Sequence, residues 1–200
     1  MPPISRTIRE QITDRIRDEL ISGRMPTGKP LREKELAERF GVSRGPVRDA
    51  FLQLTNEGFL AYQANCGVTV RTAMVGADRD FLMSLRWQIE EFVIRRGFSQ
   101  ITDDDQAKLD AVLDRLRDAC RQKDVAAIAR CDMEFHQTIL IAAGGEEFLP
   151  IWKQICTQML LAYTRFNNYS QIVQEHVAIR EAFRKKSLKS ALSAVKDNLK

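Results

Sequence analysis

A chain of 200 residues, 44% hydrophobic and 29% charged, has the composition of a soluble globular protein with one large domain or two small ones. It holds no apolar run near the ~20 residues of a membrane span, and its start, MPPISRTIREQ, turns polar at once with no signal-peptide core. A cytoplasmic protein without membrane contact is expected. The net charge of +4 gathers early, with 12 Lys+Arg against 9 Asp+Glu in residues 1–74 and 19 against 18 after them, which permits a nucleic-acid partner without requiring one. Cys66, Cys120, Cys131 and Cys156 form no C-x-x-C pair, so free thiols are expected rather than a zinc ribbon or a redox motif.

Ile8, Ile12, Ile16 and Leu20 recur every four residues and predict a helix over 5–22, with Ser5 as N-cap and Gly23 as its end. RMPTGKP (24–30) predicts a turn. A second helix is expected over about 32–40, with Leu36, Ala37 and Phe40 on its apolar face. After a Gly41-Val42 turn, Ser43 is placed to cap a third helix that runs to about Glu57 and turns Val47, Ala50, Phe51 and Leu54 inward. Pro46 falls in its first turn, where a missing N–H does no harm, and Gly58 ends it. FLAYQ (59–63) and VTVRT (68–72) alternate like the strands of a hairpin, joined by Ala64-Asn65-Cys66-Gly67. MVGADRD (74–80) reads as a linker. From Phe81 only helical patterns follow, at about 79–98, 103–122, 124–143, 146–167, 170–185 and 187–200. The chain stops two residues after Asn198 with no Gly or Asn cap, so the last helix is expected to be cut short.

Two short helices joined by a Gly-containing turn form a helix-turn-helix pattern, and the following hairpin makes it winged. In such a motif the first residues of the second helix reach base edges in the major groove. Arg44 and Arg48, four apart, share a helix face there, while Val47, Phe51 and Leu54 point to the core. An arginine fork binds guanine bidentately or clamps a phosphate. Ser43 and the open N–H groups of the first turn suit a phosphate, and Gly67 at the wing lets backbone approach the minor groove. Two arginines alone would read as a solvated face; turn, cap, arginines and wing in order point to DNA. The predicted fold class is mainly α: a winged helix-turn-helix with a small β-hairpin over 1–73, a linker over 74–80, and an all-α helical bundle over 81–200.

PLREKELAERFGVSRGPVRDAFLQLTNEGFLAYQANCGVTV (30–70) resembles the winged helix of the GntR family of bacterial transcription regulators. With the first helix included, the likeness spans about 65 residues, and LAERFGVSRGPVRDAFLQL is its specific part. The resemblance implies DNA contacts at Lys34, Ser43, Arg44, Gly45, Pro46, Arg48 and Gly67. Lys34 stands where many members carry arginine, which keeps a phosphate contact but loses the fork; Arg32 beside it can share the task.

The helical half resembles the FCD effector and dimerisation domain of the FadR subfamily. Leu85-Arg86 with Glu90 looks like that domain's opening helix, Asp132-Met133-Glu134-Phe135-His136 like its D-x-x-x-H motif, and His176-Val177-Ala178-Ile179 like its H-x-x-I motif. Gly144-Gly145 sits where members often carry a Gly-Asn turn. By spacing alone, Asp132 and His136 at i, i+4 project from one helix face and can chelate one ion, although lone histidines are more often structural. Metal-binding members carry a third histidine where this chain has Asn198, and an amide oxygen is a harder, weaker ligand. Three readings stay open. Asp132, His136 and His176 hold a divalent ion, zinc or nickel, completed by Asn198 or water; the ion is held only together with a carboxylate effector; or the pocket is polar and empty. The resemblance implies small organic acids as effectors, with Arg86 as carboxylate partner. Arg130 and Arg165 read as surface, and Trp87, Phe92, Phe135, Phe148 and Trp152 as core.

The function expected is a ligand-responsive DNA-binding transcription regulator, a repressor released by a small organic acid, with double-stranded operator DNA and a second copy of the chain as partners. It would sit in a bacterial cytoplasm, on the nucleoid when bound. The alternative is a metal sensor in which the ion is the signal. A more distant one is a metal-dependent enzyme acting on small acids, against which stand the absent P-loop, nucleophile elbow and H-E-x-x-H.

Overall fold

The computed structural model describes residues 6–64, 66–161 and 168–199. Contacts divide the chain into two compact units, one of Met1–Ala73 with Thr157–Thr164 and one of Met74–Cys156 with Arg165–Lys200.

In the first unit, α1 (Ile8–Ile21) is capped by Thr7, whose side chain accepts from the Glu10 N–H while the Glu10 carboxylate accepts from the Thr7 N–H. This reciprocal box starts the helix two residues after Ser5, the expected cap, which lies outside the described residues. Ile12, Ile16 and Leu20 bury the inner face, whereas Ile8 stays exposed. β1 (Pro30–Leu31) lies inside and beside the expected turn, α2 (Glu33–Phe40) follows, and Gly41 in the left-handed conformation leads to α3 (Arg44–Glu57). Val47, Ala50, Phe51 and Leu54 are buried, as the periodicity requires. A two-point ion pair from Arg17 of α1 to Glu57, at 2.9 and 3.0 Å, ties down the end of α3. β2 (Leu60–Gln63) and β3 (Gly67–Val70) pair antiparallel, and β1 pairs on the other side of β3, Pro30 opposite Thr69 and Leu31 opposite Val68. The wing is therefore a three-stranded sheet in the order β1-β3-β2, with the proline on an edge strand, where its missing N–H is tolerated.

The second unit is helical. α4 (Ala77–Gly97) begins inside the stretch expected to be a linker, of which only Met74–Gly76 is irregular. A 3-10 turn (Phe98–Gln100) leads to α5 (Asp103–Gln122), α6 (Val125–Ala142) and a second 3-10 turn (Glu146–Phe148). α7 (Leu149–Leu160), of which residues up to Cys156 belong to this unit, α8 (Tyr169–Arg184) and α9 (Leu188–Asn198) complete it. α5 packs along α6 and α8, and α8 along α9, burying Leu109, Leu116, Ile128, Phe135, Ile179 and Val195. Phe135 and Trp152 are core, as expected, and Trp87 and Phe148 are half-buried. Phe92 is not core: it is 53% exposed, edge-on to Phe148 at 5.6 Å.

α4 and α6 approach at backbone level. A Cβ on Gly97 would stand 2.6 Å from the carbonyl carbon of Ala143 and 2.7 Å from its Cα. Neither neighbour is the free end of a flexible side chain. Gly97→Ala is expected to cost about 3 kcal/mol by overpacking and to lower the melting temperature of this unit by roughly 6–12 °C, read by thermal denaturation followed by circular dichroism.

Candidate functional site

The first group of singled-out residues lies at the leading end of α3. Ser43 holds the N-cap position with extended backbone, φ −71° and ψ 166°, but its side chain makes no capping hydrogen bond. The hydroxyl and the first-turn N–H groups remain open to an anion. Arg44, Gly45 and Arg48 are exposed, and Pro46 is half-buried. The Arg48 Nε and Nη2 each donate to a Glu33 carboxylate oxygen at 3.2 Å, so the guanidinium fork is held flat on the surface. Lys34 is exposed, 3.9 Å from Glu38. Gly67 opens β3 with φ +83°, a conformation that disfavours other residues, and a Cβ there or on Gly45 would meet nothing within 4 Å. The start of α3 thus carries two exposed arginines, one of them paired with Glu33, with open space at Gly45 between them.

The second group lies inside the helical unit. α6 presents Asp132 and His136 from one face, α8 presents His176, and one donor atom of each lies within 4.8 Å of the others. All three residues are buried. α9 brings Asn198, whose Oδ1 stands 2.8 Å from His136 Nε2. α4 brings Arg86 and Glu90, a turn apart and both buried. The Glu90 carboxylate receives three donors: Arg86 Nε–H at 2.7 Å and Trp152 Nε1–H at 2.8 Å on Oε1, and His136 Nδ1–H at 2.9 Å on Oε2. Burial works to raise the Glu90 carboxyl, but His136 and Arg86 outweigh it and bring its pKa down to about 2. Burial likewise works to raise Asp132, and His176, His136 and Arg86 hold it well below the usual carboxylate range. Burial pushes the Cys156 thiol up to about 12, so it stays neutral beside Arg86.

With both imidazoles neutral, as metal ligands must be, two contacts in this pocket set acceptor against acceptor; a second ring proton would instead let each ring donate to both of its oxygens. His176 Nδ1 faces the Ile172 carbonyl oxygen at 2.8 Å, so Nδ1 carries a hydrogen and, in the neutral ring, Nε2 carries the lone pair. That buried Nε2 lies 3.2 Å from Asp132 Oδ1 and makes no hydrogen bond. His136, with Nδ1–H on Glu90, turns its own Nε2 lone pair toward the carbonyl oxygen of Asn198. A cation shared by the four atoms removes both conflicts. The 2.8 and 3.2 Å separations match the ~3 Å between neighbouring ligands of an ion held at about 2.1 Å. The donor types suit a divalent ion, about which the atoms of Asp132, His136 and His176, spread over up to 4.8 Å, would draw together. Beside it, Arg86 Nη2 is buried without a hydrogen-bond partner, a cationic donor with capacity to spare.

Comparison with known proteins agrees with this geometry. The model of the FCD domain matches residues 81–200, and that of the bacterial regulatory proteins of the gntR family matches residues 8–70. The chain is a GntR-family regulator with an FCD domain. This pairing is consistent with the FadR subfamily. The regulator is 28% identical to the HTH-type transcriptional repressor RspR of Escherichia coli K12, over 90% of this chain and 80% of that protein. It is 32% identical to the Nta operon transcriptional regulator of Aminobacter aminovorans, over 68% and 63%. Among solved structures, Escherichia coli McbR/YncC superposes with a TM-score of 0.77 at 20% identity, covering 97% of this chain and 94% of that one. A GntR regulator from Rhodococcus sp. RHA1 gives 0.76 at 22%, covering 96% and 93%. RspR is named a transcriptional repressor and the Nta protein a transcriptional regulator, and among the described residues of this regulator no helix is long and apolar enough to cross a membrane.

Of the residues expected in the pocket, the structure brings Asp132, His136, His176, Asn198 and Arg86 together. Arg130 is exposed, Arg165 lies outside the described residues, and Glu134 turns away to pair with Arg115 at 2.6 Å. Sequence reasoning missed the pocket contacts of Glu90, of Trp152, and of Glu175, whose carboxylate accepts from Asn198 Nδ2 at 3.0 Å. The i, i+4 spacing of Arg86 and Glu90 was the one local signal for the first; nothing local marks the others.

Proposed function

We propose that this regulator is a repressor that reads operator DNA as a homodimer and is released by a small carboxylate. Residues 1–73 would read DNA through Lys34, Ser43, Arg44, Gly45, Pro46, Arg48 and Gly67, and residues 81–200 would bind effector and form the dimer. Paired recognition helices are needed because one helix reads too few base pairs for specificity. Large apolar side chains open to solvent support pairing: Phe81 at 62% and Phe92 at 53% on α4, and Ile151 at 54% on α7. A cytoplasmic location follows from this role.

The effector reading rests on one observation, the buried and unpartnered Arg86 Nη2 beside a set of donors that fits a cation. Asp132, His136, His176 and Asn198 would hold the ion, and a bound ion would offer its open positions to a carboxylate oxygen. Arg86 gives the acid a second anchor and sets its orientation, while Glu90 keeps the guanidinium in place. Operator affinity changes only if the acid favours one of two dimer arrangements over the other.

The test is fluorescence anisotropy on an operator selected from random duplex DNA, titrated with a panel of small hydroxy and dicarboxylic acids. At least one acid is expected to release the operator. Arg86→Lys, which keeps the charge and loses the fork, should raise the concentration for half-release at least about tenfold. An unchanged response would remove Arg86 from the effector site. Release by a divalent ion alone, with no acid present, would instead make the protein a metal sensor.

A further inference from the structure

Asn198 is turned by a neighbour that no metal-binding motif of the chain includes. Its Nδ2 donates to Glu175 Oε2 at 3.0 Å, and Glu175 Oε1 is itself held by Gln171 Nε2 at 2.8 Å, one turn earlier on α8. A carboxylate only accepts, so the amide nitrogen must face Glu175 and the amide oxygen must face the pocket. With the amide reversed, its oxygen would oppose the carboxylate at the same separation. The series Gln171, Glu175, Asn198 therefore delivers an oxygen, not a nitrogen, 2.8 Å from His136 Nε2.

We propose that Glu175 is a positioning residue which fixes the Asn198 carbonyl oxygen as a ligand and thereby gives the site a two-nitrogen, two-oxygen donor set suited to oxygen-preferring divalent ions of the manganese class. The inference rests on the metal reading above. The nitrogens are those of His136 and His176, and the oxygens those of Asp132 and Asn198. Carboxylate and carbonyl oxygens suit manganese and magnesium; imidazoles suit zinc, nickel and copper. Zinc remains the tighter ion in absolute terms, as for any such site, and the amide narrows its margin. Glu175 directly precedes His176, so one turn of α8 supplies both a ligand and the group that orients another.

The experiment measures dissociation constants of the metal-free full-length protein for Mn2+ and Zn2+, by competition with a chelator and by the Mn2+ paramagnetic resonance spectrum. Asn198→His is expected to tighten zinc more than manganese, widening the ratio of the two constants at least about tenfold. Glu175→Ala frees the amide to turn and should weaken manganese roughly tenfold. Glu175→Gln still offers a carbonyl oxygen to the amide N–H and should restore most of that loss, which a merely structural role for Glu175 would not predict. Circular dichroism checks that each variant is folded. Metal binding with the same zinc-to-manganese ratio in Asn198→His, or equal losses in Glu175→Ala and Glu175→Gln, overturns the inference while leaving the metal reading standing. Failure of the parent protein to bind either ion overturns both.

Discussion

Replacing Glu90 with alanine is expected to lower the melting temperature of the helical unit by roughly 10 °C and to weaken metal binding about 10–100-fold. The carboxylate is buried and accepts from Arg86, Trp152 and His136 at once. Its removal leaves a guanidinium buried without its counter-charge, a change worth about 3–5 kcal/mol in proteins. It also frees the His136 ring, whose orientation and tautomer the carboxylate sets. Glu90→Gln separates the two effects. The amide oxygen can still accept from Arg86 and Trp152, but the amide nitrogen then opposes His136 Nδ1–H. Thermal stability should recover in part while metal affinity stays low. Calorimetry and metal titration on the two variants read this directly, and an unchanged melting temperature in Glu90→Ala would show that the three donors do not depend on it.

Arg48→Ala is expected to weaken operator binding at least about a hundredfold while leaving the circular dichroism spectrum unchanged. The side chain is exposed and its only described partner is Glu33 on the surface, so its loss removes nothing from the core. A dimer loses the contact twice, which multiplies the effect. Anisotropy on the selected operator measures it; parental affinity in the variant would remove α3 from the groove.

Structure that depends on neighbours in sequence was legible. Ser43, Pro46 and Gly58 bound α3 because a cap, a first turn and a left-handed end are each local requirements. Thr7 rather than Ser5 starts α1 because a threonine three residues before Glu10 closes a reciprocal box, a pattern visible in the sequence but outweighed there by the longer apolar repeat. β1 was not legible, since two residues become a strand only when β3 lies beside them. The early start of α4 was hidden because Gly76, at its N-cap position, makes no side-chain cap. Phe92 was misplaced because α4 is apolar on more than one side, so its periodicity does not say which side is covered. In the pocket, Asp132 and His136 share one helix and show their spacing. Glu90, Trp152 and Glu175 arrive from three other helices, and only the packed structure brings them to the same place.

The close approach of Gly97 to Ala143 has a mechanical meaning for the pocket. Arg86 and Glu90 ride on α4, Asp132 and His136 on α6, and the two helices meet without side chains to act as bearings. That contact fixes the distance between the two helices that carry these four residues. His176 and Glu175 belong to α8 and Asn198 to α9; these helices pack on each other, α8 also along α5 and α9 also against α4. If an acid binds there as proposed, the backbone contact at Gly97 sets the spacing of the α4 and α6 groups that it would meet.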